Sequence, residues 1–282
     1  MMTKIFKSVI LFSSCLLFTA NISAQQVFNA NELIGTYITG DDYDFVRNAI
    51  ELKADGTYLE AHHSCTYSTQ QFGKFDISNG IVHFTILKYT GRKFSNRKKE
   101  INLLNAKAAK KFYGYDDEEV EPLETEFSLV PVKWGERVYL IFEPDLKNFA
   151  NAVNLGVEPR PEMHSEIWFG SFYRREGDEQ KSVSGKPSLP AEWQPFLLDK
   201  PITAKIISAE KQGEDNLGII DKGSHNGLRV GMVLTDGDEE PSVFSREGII
   251  ISVDEKSAKI LIFDLKVGDI ISTRYVAKTD HK

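Results

Sequence analysis

The run His62-His63-Ser64-Cys65 places two imidazoles and a thiol within four residues. Imidazole nitrogen and thiolate sulfur are the donors a soft ion such as Cu(I) or Zn takes. Side chains alternate along a strand, so if Leu59 and Ala61 face inward, His63 and Cys65 follow and His62 points out. Two donors do not complete a coordination sphere, and His83 faces outward by its own hairpin register. The same pair also suits a buried thiol beside a hydrogen-bonded histidine. Redox exchange lacks a resolving cysteine.

Other chemistry-bearing runs are less specific. Asp41-Asp42-Tyr43-Asp44 and Asp236-Gly237-Asp238-Glu239-Glu240 are acidic loops without the spacing or terminal Glu of an EF-hand. His164-Ser165-Glu166 lacks the paired i, i+4 histidines of a zinc helix. Ser95 to Lys98 and Ser208 to Lys211 both read Ser-x-x-Lys, but no SDN or KTG accompanies them. No Gly-x-Ser-x-Gly elbow is present, so a hydrolase would need a site assembled without a linear motif.

The elements that would position these groups are short strands. Leu33 to Thr39 reads as a first strand containing Gly35-Thr36-Tyr37, and Asn48 to Ala54 as a second. Asp55-Gly56 predicts a two-residue hairpin turn into Thr57 to Tyr67. That turn pairs Leu52 with Leu59 and Ile50 with Ala61. Asn79-Gly80 predicts a second hairpin that pairs Ile77 with Val82 and Phe75 with Phe84, with Ile86 on the same face. Residues 91–126 break the pattern with a basic and then an acidic cluster, and Leu103 to Phe112 could be helical. This stretch reads as a solvated excursion or a charged lid. Strands resume at Phe127 to Val132 and Arg137 to Phe142. Pro144-Asp145 opens a helix that Gly156 stops, and Glu166 to Tyr173 returns to strand.

Residues 176–201 contain four prolines and read as a linker, although Trp193 and Phe196 imply packing. Beyond it, six strands are predicted at Thr203–Ser208, Leu217–Ile220, Met232–Leu234, Gly248–Val253, Ala258–Phe263 and Asp269–Arg274. The runs Ile249-Ile250-Ile251 and Ile260-Leu261-Ile262 imply burial on both faces or a small closed barrel. The glycines Gly223, Gly227 and Gly231 fit tight reversals. No GKS or GKT follows them, which argues against a phosphate loop.

Two resemblances are carried by these residues. Gly35-Thr36-Tyr37, the run of hairpins and the helix from Asp145 to Leu155 resemble the calycin class of lipocalin-like barrels, which usually has Trp in place of Tyr37. The segment from Trp134 to Arg160 is similar to uncharacterised bacterial secreted proteins. The stretch Asp221 to Leu234, with Gly248-Ile249-Ile250 and Val267 to Ile271, resembles small β-domains of envelope scaffolds. Examples are the rod-shape scaffold MreC and the flagellar assembly protein FlgT. That resemblance implies a docking module whose partner loop carries Gly223, Gly227 and Gly231, and no enzymatic activity. The fold expected is mostly β: an antiparallel calycin-like barrel with one helix over 25–175, a linker over 176–201, a small β-barrel over 202–275, and a polar tail over 276–282.

Residues 1–24 carry a secretion address. Lys4 and Lys7 precede an uncharged apolar run, and Ile22-Ser23-Ala24 offers a cleavage site before Gln25. The run falls short of the ~20 residues a membrane span needs. Cys15 in Phe12-Ser13-Ser14-Cys15 offers a lipid-anchor alternative. Cleavage after Ala24 gives a periplasmic or secreted chain with one cysteine, hence no intramolecular disulfide. The net charge of −7 argues against nucleic-acid binding, and 41% hydrophobic with 27% charged residues against global disorder. No cofactor is implied. The expected function is non-enzymatic binding or scaffolding. The N-terminal barrel would scaffold, or would line a cavity for a small apolar ligand with Ile50, Leu52, Leu59, Ala61, His63, Cys65, Phe75, Ile77, Val82, Phe84 and Ile86. The C-terminal unit would dock an envelope protein. A periplasmic metal-handling protein using His63 and Cys65 is one alternative, and the motif-free hydrolase another.

Overall fold

The computed structural model describes residues 28–39, 47–63, 67–93, 117–119, 125–157, 172–212, 215–236, 247–262 and 265–274. The secretion address, Cys15, Cys65, Asp41 to Asp44, Ser95 to Lys98, Leu103 to Phe112, His164 to Glu166, most of Asp236 to Glu240, and the polar tail lie outside them. No described helix is long and apolar enough to cross a membrane.

The chain is mostly β, with two closed antiparallel barrels. The first has eight strands: β1 (Gly35–Ile38), β2 (Arg47–Leu52), β3 (Thr57–His63), β4 (Tyr67–Ser78), β5 (Ile81–Lys93), β7 (Glu126–Trp134), β8 (Arg137–Ile141) and β9 (Phe172–Arg175). Their order is β4-β3-β2-β1-β9-β8-β7-β5, and β4 pairs with β5 to close the ring. A short β6 (Asp117–Glu119) adds to the upper end of β5, with Arg92 opposite Asp117. Residues 91–93 and 117–119, expected in a solvated excursion, are therefore strand.

The Asn79-Gly80 hairpin forms in the expected register, Ile77 opposite Val82 and Phe75 opposite Phe84. Both turn residues hold positive φ, 53° and 76°, as a type I′ turn requires. The Asp55-Gly56 hairpin does not follow its expected register. Leu52 pairs with Tyr58, Ile50 with Glu60 and Ala49 with Ala61, one residue away from the two-residue reading. The loop holds three residues because only Gly56 takes positive φ (78°), while the Asp55 carboxylate accepts from the Thr57 N–H and hydroxyl. A one-residue slip exchanges the faces of a strand. Tyr58 and Glu60 thus join Ile50 and Leu52 inside, and Leu59 and Ala61 turn to the other face. The first strand also starts later than expected, because Leu33 ends a short helix, α1 (Ala30–Leu33). Asn29 and Glu32 form its reciprocal capping box. Phe28 and Leu33 join the barrel core, placing α1 against the end of the barrel where the β2–β3 and β4–β5 turns lie.

The outer face of β7–β9 carries a second core. Val130, Val132, Tyr139, Ile141 and Phe172 pack against α2 (Leu146–Leu155), whose Leu146, Phe149 and Ala150 are fully buried. Gly156 stops this helix in the left-handed region, φ 77°. The Pro-rich stretch is laid against the same core through Leu189 and Leu197. The Trp134 indole N–H donates to the Gly185 carbonyl at 3.0 Å, and the buried Asp178 carboxylate accepts from the Val138 N–H at 2.8 Å.

The second barrel closes in the order β10-β11-β14-β13-β12-β15. These are β10 (Thr203–Gln212), β11 (Asp215–Ile220), β12 (Val233–Thr235), β13 (Glu247–Val253), β14 (Ala258–Ile262) and β15 (Ile270–Ser272). Each strand gives one fully buried residue to the interior: Ile206, Ile220, Leu234, Ile250, Ile260 and Ile271. The apolar runs are thus explained by closure. Ile250 points in, and its neighbour Ile249 packs outside against Ala152, Leu155 and Val233. Helix α2 therefore serves both barrels. Its buried Asn151 donates to the Gly231 carbonyl at 2.9 Å and accepts from the Val233 N–H at 3.3 Å.

Candidate functional site

The inner face of the first barrel is largely apolar and aromatic. The end nearest α1 is filled by Leu33, Tyr37, Leu52 and Tyr58. The Tyr58 ring fits there because β4 has Gly73. A Cβ on Gly73 would lie 2.6 Å from Tyr58 Cε1 and 1.9 Å from the Thr85 carbonyl oxygen. The Tyr37 hydroxyl donates to the Leu33 carbonyl at 2.9 Å and accepts from Arg175 at 2.8 Å, and the same Arg175 nitrogen donates to the Glu32 carbonyl. The guanidinium is thereby tied to the closed end, and burial pushes the Tyr37 phenol up to about 12.

Above this base sits a carboxylate among rings. Glu60 is cross-strand from Ile50, which turns it inward, and Tyr173 is cross-strand from Leu140. The Tyr173 hydroxyl donates to Glu60 Oε1 at 2.9 Å. Burial pushes the Glu60 carboxyl up to about 6, and the Tyr173 hydroxyl partly opposes that rise. Burial also raises the Tyr173 and Tyr58 phenols, and the Glu60 charge adds to both shifts. Among the described residues, neither Glu60 Oε2 nor the Tyr58 hydroxyl has a hydrogen-bond partner, although Tyr58 is fully buried. An aromatic chain joins Tyr58 back to Tyr173. Ring centroids lie 5.9 Å apart for Tyr58–Phe127, 6.1 Å for Phe127–Phe142 and 6.5 Å for Phe142–Tyr173.

The residues singled out from the sequence are distributed as follows. Ile50, Leu52, Phe75, Val82 and Phe84 lie in the barrel interior, with Ile77 packed against them. Ile86 is half-buried next to the β4–β5 bulge, opposite Gly73. Leu59 and Ala61 are half-buried on the other face of β3. His63 ends β3, paired with Arg47 and Ser68, in the register that reverses the strand's faces. Cys65 lies outside the described residues. His83 faces Ser128 across β5–β7, with 2.9 Å between Nδ1 and Oγ. Among the described residues no three His, Cys, Asp or Glu side chains gather as metal ligands. Tyr58, Glu60, Phe127, Phe142, Tyr173 and Arg175 are among the interior residues that sequence reading missed. The alternation Tyr58, Glu60, His62 was the available signal, and the three-residue turn was needed to read it.

The loop glycines of the second barrel face three different intramolecular neighbours. Gly223 sits on the β13–β14 turn, where a Cβ would be 2.3 Å from the Asp254 carbonyl oxygen. Gly227 holds φ 93° beside Leu198 and Ile202, and Gly231 holds φ 87° against Lys147 of α2. Several large apolar side chains are exposed on the outer surface of this barrel. Ile207, Ile219, Val267 and Ile270 are 52%, 40%, 57% and 53% exposed. They cluster because Ile270 opposes Lys205 on β10, Ile219 opposes Ser208, and Gly268 bonds to Ile206. No protein-family model, curated protein or solved structure matches the chain.

Proposed function

We propose that the chain is an exported, non-enzymatic scaffold and binding protein whose second barrel docks a protein partner of the cell envelope. The observation that carries this reading is the exposure of Ile207, Ile219, Val267 and Ile270, three of them on the adjacent strands β10, β11 and β15. Large apolar side chains scattered singly are ordinary, whereas a cluster on adjacent strands marks an interaction surface. The first barrel supports the docking module through α2, and the resemblance of Asp221 to Leu234 to envelope scaffold domains points the same way. The test compares the full chain with an Ile207→Ser/Ile270→Ser double variant. Cross-linking in envelope extract should give an adduct that the variant loses while its melting curve stays unchanged. An adduct kept by the variant overturns the assignment of the surface.

A further inference from the structure

We propose that Asn79 is a site of spontaneous covalent modification, losing its side-chain amide through attack by the Gly80 backbone nitrogen. This inference goes beyond the docking reading, since it concerns the first barrel and needs no partner.

The reaction suits an asparagine followed by glycine, because glycine has no Cβ to shield its nitrogen. The Gly80 nitrogen attacks Asn79 Cγ. A new N–C bond closes a five-membered succinimide, the bond to the carboxamide nitrogen breaks, and ammonia leaves with the Gly80 proton. One water then opens the ring. Opening at the side-chain carbonyl leaves Asp. Opening at the main-chain carbonyl leaves isoaspartate, whose chain runs through the former side chain.

Three pairs of Asp or Asn with a following Gly lie in full among the described residues, and the fold restrains two of them. The Asp55 carboxylate accepts from the Thr57 N–H and hydroxyl, and the Gly56 N–H donates to the Lys53 carbonyl at 3.1 Å. Asn226 Oδ1 accepts from the Gly223 N–H at 3.2 Å, and the Gly227 N–H donates to the Ser224 carbonyl at 2.9 Å. In the third pair, no described residue bonds to the Asn79 carboxamide or to the Gly80 N–H. Asn79 is exposed at the tip of the β4–β5 hairpin. Attack requires the turn to rotate out of the left-handed region, where Asn79 holds φ 53°. At an exposed two-residue tip that rotation moves no buried side chain.

The position gives the change a consequence. This hairpin closes the first barrel, with Ser78 opposite Ile81 and Ile77 opposite Val82 directly beyond the turn. Asp at position 79 keeps the turn, because Asp-Gly suits type I′ geometry. Isoaspartate adds a methylene to the main chain, which a two-residue turn cannot absorb. The isoaspartyl product therefore loosens the closing hairpin from its tip.

Peptide mapping of the full chain, aged in mildly alkaline buffer with and without denaturing urea, tests the proposal. In the folded chain the Asn79 peptide should gain the mass of an amide-to-acid exchange at least about tenfold faster than the Asn226 peptide, since two further hydrogen bonds restrain the latter. In urea the two rates should converge. Amide exchange at Ile81 should quicken in the isoaspartyl form. Asn79→Asp should release no ammonia from this site and keep the Ile81 protection of unaged wild type. The proposal fails if the Asn79 peptide stays unmodified in the folded chain, if Asn226 reacts as fast, or if unfolding leaves the ratio of the two rates unchanged.

Discussion

Asn151 is the side chain whose loss should separate the two barrels. It is 3% exposed on α2 and bridges the Gly231 carbonyl and the Val233 N–H, the latter on β12. Asn151→Ala leaves both backbone groups buried and unpaired. Each such loss costs roughly 1–3 kcal/mol, so the interface should weaken by about 2–6 kcal/mol. The apolar part of the contact, Ala152 and Leu155 against Val233 and Ile249, stays in place. Calorimetry of the full chain should show the second barrel melting earlier and separately, while the first keeps its transition. Amide exchange gives a local reading. The Val233 N–H should exchange about 30-fold faster or more, the equivalent of about 2 kcal/mol. A melting profile within about 0.5 kcal/mol of wild type, with Val233 equally protected, would refute the bridging role.

Two further outcomes follow from the first barrel. Gly73→Ala should destabilise it by about 3 kcal/mol or more, because the new methyl meets the Thr85 carbonyl and the Tyr58 ring; a urea midpoint matching wild type would show that the strand yields freely. Burial raises the Glu60 carboxyl from 4.5 to about 6, so the stability it contributes is present below pH 4.5 and is lost as pH rises through 6. Glu60→Gln should then exceed wild type by about 2 kcal/mol at pH 7 and lose that advantage near pH 4.5, whereas parallel pH profiles would contradict the assigned desolvation.

The legible parts of the fold were those where local chemistry determines geometry. Asn79-Gly80 allows both turn residues positive φ, so register and facing residues followed directly. The six strands of the second barrel and the helix ending at Gly156 were equally local. The Asp55-Gly56 turn was not, because Asp-Gly also suits a three-residue loop in which Asp55 caps Thr57. Either face of β3 could pass as the inner one: Leu59 with Ala61, or Tyr58 with Glu60. Hydrophobicity favoured the first pair, and tertiary packing selected the second. The circuit around Glu60 joins β3 to residues 67, 82 and 113 positions downstream, and strand closure over such distances leaves no trace in local periodicity. Asn29 with Glu32 was a readable cap signal for α1, attached to a helix of only four residues.

Closure of the first barrel also fixes an order of events during synthesis. The seam is β1 against β9, Tyr37 opposite Arg175, and its last strand is the last to leave the ribosome. Hairpins β2–β3, β4–β5 and β7–β8 join strands close in sequence and can pair early. The facing edges of β1 and β8 must wait for residues 172–175, held open by a loop of more than a hundred residues. Until then both edges offer unpaired backbone groups to any neighbouring strand. The nascent chain should therefore be most prone to aggregation, and most dependent on a holding chaperone, just before Phe172 emerges, well before the second barrel has begun to form.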